Sequence, residues 1–252
     1  MAQLHQVWNP TIGRLRDVDL LSFTKTRNKI AYAASIAVNE IANKLHNEAQ
    51  REWNKFKAIS VRENRGKELV EEITGRKDIE VLVDPTMLLT AEEWDKVSKK
   101  PKMLKNNKYI LNYFLGELSE ERKKEIERVA KENDCEIVNI LDENSPYYEC
   151  GPSEFLYLEK NAFLICTDSF HSSVFAILYN TPFLVFNRED KIASMNSRIE
   201  TLLSKFNLED RKYKEKITSK DLKANYGEAY KILEQEREKS RKFLEKALKQ
   251  ED

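Results

Sequence analysis

Apolar runs of strand length alternate with amphipathic stretches of helix length along most of the chain. The run at 29–34 (KIAYAA) reads as a strand and is followed by a helical stretch over 39–56. A short strand at 58–61 leads to a helix over 65–74, and a further strand at 79–83 stops at Asp84-Pro85, where proline removes a ladder donor. Thr90-Ala91-Glu92-Glu93 has the form of a capping box opening a short helix. The polar segment from Lys99 through Pro101 to Asn107 reads as a linker. Beyond it the rhythm restarts with strands at 108–114, 136–141, 163–167 and 181–186. The helices between them begin near Ser119, Pro152 and Ser169. Strands that are continuous apolar runs and alternate with helices imply parallel sheets covered on both faces. The pattern therefore predicts an α/β protein of two doubly wound domains, 1–100 and 101–252. The highly charged tail from Lys220 carries Leu233, Phe243, Leu244, Ala247 and Leu248 at helical spacing, which predicts a surface helix packed by a narrow stripe.

Composition narrows the function classes. The 252 residues contain 43 Lys+Arg and 43 Asp+Glu, a net charge of zero that argues against gripping nucleic acid or an anionic membrane. No apolar run approaches the roughly 18–20 residues needed to span a bilayer. The start, MAQLHQVWNP, has neither a basic nor an apolar leader region, so the expected location is the cytoplasm. The three cysteines, Cys135, Cys150 and Cys166, are widely spaced and read as reduced thiols. The six glycines never form GxGxxG or GxxxxGK[ST], which removes glycine-loop dinucleotide and P-loop chemistry. His5 and His46 have no partner at metal-ligand spacing, and no GxSxG, HExxH or DxD is present.

The segment Thr167-Asp168-Ser169-Phe170-His171-Ser172-Ser173 lies between an apolar strand and the helix after it. Ligands of open parallel sheets bind beyond the carboxyl ends of strands, where helix N-termini favour phosphate or carboxylate. Ser169, Ser172 and Ser173 add hydroxyls there, and His171 adds a group able to pass a proton. The plain alternative is an N-cap at Asp168 or Ser169 beside an ordinary surface histidine. Arg62 follows a strand end, where its guanidinium can meet a carboxylate or phosphate or simply pair with Glu63. Arg198, within Asn196-Ser197-Arg198, and Arg188 follow the last strand in the same way. Asp84-Pro85 reads as a strand terminator.

In order, QVWNP (6–10), KIAYAAS (29–35), ISVRE (59–63), VDPTMLL (83–89) with Glu93-Trp94, GPSEFL (151–156), TDSFHSSVFAILYNTPFLVF (167–186) and MNSRIETLL (195–203) resemble the polysaccharide pyruvyl transferase family. The resemblance implies two Rossmann-like domains of glycosyltransferase-B type. It also implies transfer of the enolpyruvyl unit of phosphoenolpyruvate to a sugar of a cell-surface glycan precursor, with no cofactor. By that resemblance His171 and Arg62 face the phosphoenolpyruvate anion, and Asp168, Ser169 and Arg198 line or support the same cleft. The chemistry of the step makes His171 the expected catalytic acid, with Ser172 as a further substrate-binding residue. The partners implied are phosphoenolpyruvate and a glycan or lipid-linked sugar, with no nucleic acid and no membrane span.

Two departures qualify this. Family members carry several strands and helices ahead of the stretch matching QVWNP, ending in Gly-Ser-Asp, where this chain has Leu4-His5. The resemblance therefore implies an incomplete first domain and a separate N-terminal half chain as a partner. Ser172-Ser173 replace a Gly-Thr and keep hydroxyls at that point. Two other functions stay open on the sequence: a nucleotide-sugar glycosyltransferase of the same architecture, and a catalytically silent remnant that binds a ligand or partner.

Overall fold

The computed structural model describes residues 7–12, 15–188 and 197–249 of the chain. They divide into two compact units, the first comprising Met1–Leu88, Ile192–Lys205 and Lys231–Asp252, the second Leu89–Lys191 and Phe206–Tyr230. Both are mixed α/β with wholly parallel sheets, the Rossmann-like pattern that alternating apolar runs predict.

In the first unit β1 (Lys29–Ala34), β2 (Phe56–Val61) and β3 (Glu80–Val81) form a sheet in the order β1-β2-β3, with α1 (Asn43–Trp53) and α2 (Asn64–Thr74) as crossovers. One core layer gathers Trp8, Trp53, Phe56, Ile59, Leu69 and Val70, with the Trp8 and Trp53 rings 5.2 Å apart. The ladder between β1 and β2 slips between Ala31 and Ala34, and Ala33 sits at φ 47°. Ser60 bridges the slip: its hydroxyl accepts from Ala33 N–H at 2.9 Å and donates to Ala31 C=O at 3.1 Å.

The second unit contains α3 (Ala91–Asp95), β4 (Tyr109–Tyr113), α4 (Glu120–Glu132), β5 (Glu136–Asn139), α5 (Pro152–Asn161), β6 (Leu164–Thr167), α6 (Phe170–Tyr179) and β7 (Phe183–Val185). Its sheet runs β5-β4-β6-β7. All of β6 is buried, as expected for a strand covered on both faces. Ile110, Leu164, Cys166, Leu184 and Phe186 pack on Ile126 and Val129 of α4, and burial pushes the Cys166 thiol up, which leaves it unreactive.

Two segments return to the first unit: α7 (Ser197–Lys205), and all but the first turn of α8 (Gly227–Leu248). Phe243 and Ala247 of α8 pack with Leu82 against Ile30, Tyr32 and Ala58, closing the sheet face opposite the tryptophans. The tail helix thus packs by its stripe, although Leu248 is exposed. By its internal contacts the second unit begins at Leu89, and most of α8 groups with the first. The capping box is as expected, with Glu93 N–H donating to Thr90 Oγ1 and Thr90 N–H donating to Glu93 Oε2. Among the described residues no helix is long and apolar enough to cross a membrane.

Candidate active site

In the second unit the chain leaves β4 toward β5 on one side and reaches β6 on the other. This topological switch opens a crevice beyond the carboxyl ends of β4 and β6, the usual ligand position in such sheets. Asp168 follows β6 directly and is buried. Its Oδ1 accepts from Leu115 N–H at 2.7 Å and its Oδ2 from Gly116 N–H at 2.8 Å, which ties down the loop leaving β4. The Arg188 Nε lies 3.1 Å from the same Oδ2. Asp168 is therefore a fastening point between two strand ends.

Ser169 is the N-cap of α6 by position but makes no side-chain capping bond. Its N–H donates to Thr167 Oγ1, and its carbonyl accepts from the Ser173 hydroxyl at 2.9 Å. His171 stands in the first turn of α6, half-buried, with its ring edge-on to Phe170 at 5.4 Å. An imidazole here sits among helix N-terminal N–H groups, a setting that draws an anion toward a proton donor. Ser172 is fully buried and faces Glu159 of α5 rather than solvent. Neither Glu159 oxygen nor the Ser172 hydroxyl makes a hydrogen bond of ordinary geometry. Burial holds the Glu159 carboxyl well above the usual carboxylate range, the nearby Ser172 hydroxyl offsetting part of the cost.

In the first unit Arg62 lies just past β2, 3% exposed, and its Nη1 donates to Asp84 Oδ2 in a buried ion pair. Arg62 does not pair with Glu63, its sequence neighbour. The other Asp84 oxygen accepts from Thr86 N–H at 3.0 Å and the Thr86 hydroxyl at 2.8 Å. Asp84 is thus more than the strand terminator it resembles in sequence. β3 ends at Val81, and Asp84 opens the turn that presents its carboxylate to Arg62. Glu63 instead fastens the chain beyond β1, its Oε1 accepting from Ser35 Oγ, Ile36 N–H and Ala37 N–H at 3.1, 2.6 and 2.9 Å. Gly66 leaves room for it: an added Cβ would stand 3.2 Å from the Glu63 side chain. Arg62 also borders a cavity of 320 Å³ shared with Trp8, Asp19, residues of β1 and Pro85.

Arg198 is buried at the start of α7 and groups with the first unit. Its neighbours Met195 and Asn196 lie outside the described residues, as do His5 and Gln6. Sequence reasoning missed Asp84 as the Arg62 partner and Glu159 altogether. The spacing Asp-x-Thr, an Asx-turn signature, marks the first. The second sits in an ordinary amphipathic helix and has no local signal. Among the described residues no group of three or more His, Cys, Asp or Glu side chains is placed to hold a metal ion.

Comparison with curated proteins finds no match. The family model for polysaccharide pyruvyl transferase matches residues 7–190 of the 252, a span that holds Arg62, Glu63, Asp84, Asp168 and His171. With most of its length and these fastened strand ends inside that match, the chain belongs to the polysaccharide pyruvyl transferase family.

Proposed function

We propose that the protein transfers the pyruvyl unit of phosphoenolpyruvate onto two hydroxyls of one sugar in a cell-surface glycan precursor, forming a pyruvate ketal. The observation that carries this reading is the imidazole of His171 in the first turn of α6, inside the family match. A small trianionic donor suits a helix N-terminus backed by cationic side chains. His171 protonates the methylene carbon of the donor, making a cation-like carbon that the first sugar hydroxyl attacks. Phosphate then leaves, the second hydroxyl closes the ketal, and the two hydroxyl protons pass to the catalytic acid and to phosphate. A positioned acid contributes about 10²–10⁴-fold to such a step.

In its own unit Arg62, held in place by Asp84, offers a guanidinium suited to an anionic substrate group. Ser169 adds a hydroxyl at the histidine turn, while Ser172 faces inward and serves packing; Asp168 fastens that turn to the loop leaving β4. The reaction as written draws on no further cofactor. The same reading takes the two units as a glycosyltransferase-B arrangement working in the cytoplasm on a glycan or lipid-linked sugar. β1 stands at one end of the described sheet order, an edge that suits a further strand from this or a partner chain.

The test is release of inorganic phosphate from phosphoenolpyruvate with a glycan acceptor, together with the product mass. His171→Ala is expected to lower turnover by about 10²–10⁴-fold. Wild-type turnover in that variant refutes the assignment, and transfer from a sugar nucleotide refutes the donor.

A further inference from the structure

The second unit holds a cavity of 380 Å³ between the carboxyl ends of β4 and β5 and the face of α4. Asn112 of β4 and Asn139 of β5 stand opposite each other in the parallel register, so both amides project to the same side of the sheet and line this cavity. They interrupt strands that are otherwise apolar on that face. The Asn112 Oδ1 is buried and makes no hydrogen bond within the protein. Buried polar atoms are nearly always satisfied, and one left open toward a cavity points to something that fills it.

The chemistry of the lining selects the occupant. Phe114, Leu118 and Ile137 supply an apolar wall, and the Phe114 ring is held edge-on to Phe186 at 5.3 Å. The charged lining residues are Lys123, Glu127 and Asp142, one cation against two carboxylates, and Lys123 is already paired with Glu120 at 2.7 Å. That balance repels phosphate and carboxylate ligands. It suits a neutral ring with hydroxyls on its rim and C–H groups on one face. The volume falls at the small end of ligand pockets, about 300–1,000 Å³.

From these features we infer that the cavity is a binding subsite for one neutral pyranose sugar. The two asparagine amides bond its hydroxyls, and Phe114 packs on its apolar face. Phe114 and Leu118 flank Leu115 and Gly116, whose N–H groups Asp168 grips, so one loop serves both the cavity and the histidine turn. The subsite receives a sugar of the acceptor glycan, a role that rests on the pyruvyl transfer reading, whereas the binding itself does not.

The experiment is saturation-transfer NMR of the full chain with the methyl glycosides of glucose, galactose and N-acetylglucosamine at millimolar concentration. At least one glycoside is expected to receive transfer from the wild type and from His171→Ala. In Asn139→Ala and Asn112→Ala that affinity falls by about tenfold or more. Circular dichroism verifies folding, and Asn139→Ala, on the end strand, carries the test if Asn112→Ala fails to fold. Absence of transfer from every glycoside, or equal transfer in folded Asn139→Ala, overturns the subsite and leaves an ordered water as the partner of Asn112. Transfer to a glycoside with no phosphoenolpyruvate turnover supports the subsite and refutes the transfer reading. Turnover on a glycan that Asn139→Ala does not change refutes the subsite and spares that reading.

Discussion

Replacing Glu159 by glutamine removes a titration while keeping the side chain's shape. Glu159 is fully buried between α5 and α6, and burial lifts its carboxyl above the ordinary value of 4.5. Once pH passes that value the unfolded chain loses a proton that the folded chain keeps. The folded state then binds more protons, so stability is greatest at and below the unfolded value and falls as pH rises. The slope is about 1.4 kcal/mol per pH unit until the buried carboxyl itself ionises. Between pH 4.5 and neutrality the loss is at most about 3 kcal/mol. Glutamine carries no such slope, although its extra N–H leaves another polar group to satisfy, at a constant cost of about 1 kcal/mol. Urea unfolding of wild type and Glu159→Gln across this range is therefore expected to give converging and then crossing curves. The variant is the less stable protein in acid and the more stable one near neutrality. Parallel curves would show that Glu159 is ionised in the folded state and would refute the reasoning.

Asp84→Ala leaves the buried Arg62 guanidinium without that counter-ion and is expected to cost about 3–5 kcal/mol in urea unfolding. A loss below about 1 kcal/mol would place the pair among solvent-screened contacts instead. Ala33→Gly sits at a positive φ, so it is expected to be neutral or to stabilise by about 1 kcal/mol, against the usual cost of glycine in a strand. Clear destabilisation in thermal unfolding would contradict this. Ser60→Ala, which strips both bonds from the slipped ladder, is expected to cost about 1–3 kcal/mol by the same measurement, and a silent substitution would show that water replaces the hydroxyl.

The elements were legible where a segment's surroundings match its own period. β6 is buried on both faces and reads as an uninterrupted apolar run, and the capping box at Thr90 is purely local. The strand at 79–83 shrinks to Glu80–Val81 because Asp84 is drawn toward Arg62, a partner that no local pattern reveals. Domain membership was harder to read. The linker composition around Pro101 suggested a break, yet Lys99 N–H donates to Ser153 C=O within the second unit. Similarly, the stripe on α8 announces that the helix packs but not on which sheet. At the candidate site the histidine turn was visible in sequence. What was hidden is that Asp168 spends its oxygens on backbone and Arg188, and that Ser172 looks inward at Glu159.

The return of residues 231–248 to the first unit has a consequence for synthesis of the chain. While a nascent polypeptide is still being translated, β1, β2 and β3 emerge with only one face covered, because Phe243 and Ala247 lie far downstream of them in the chain. Ile30, Tyr32 and Ala58 stay open to water until the ribosome has delivered α8. These strands are thus made well before the helix that seals them, and the emerging chain carries an open apolar face in the interval.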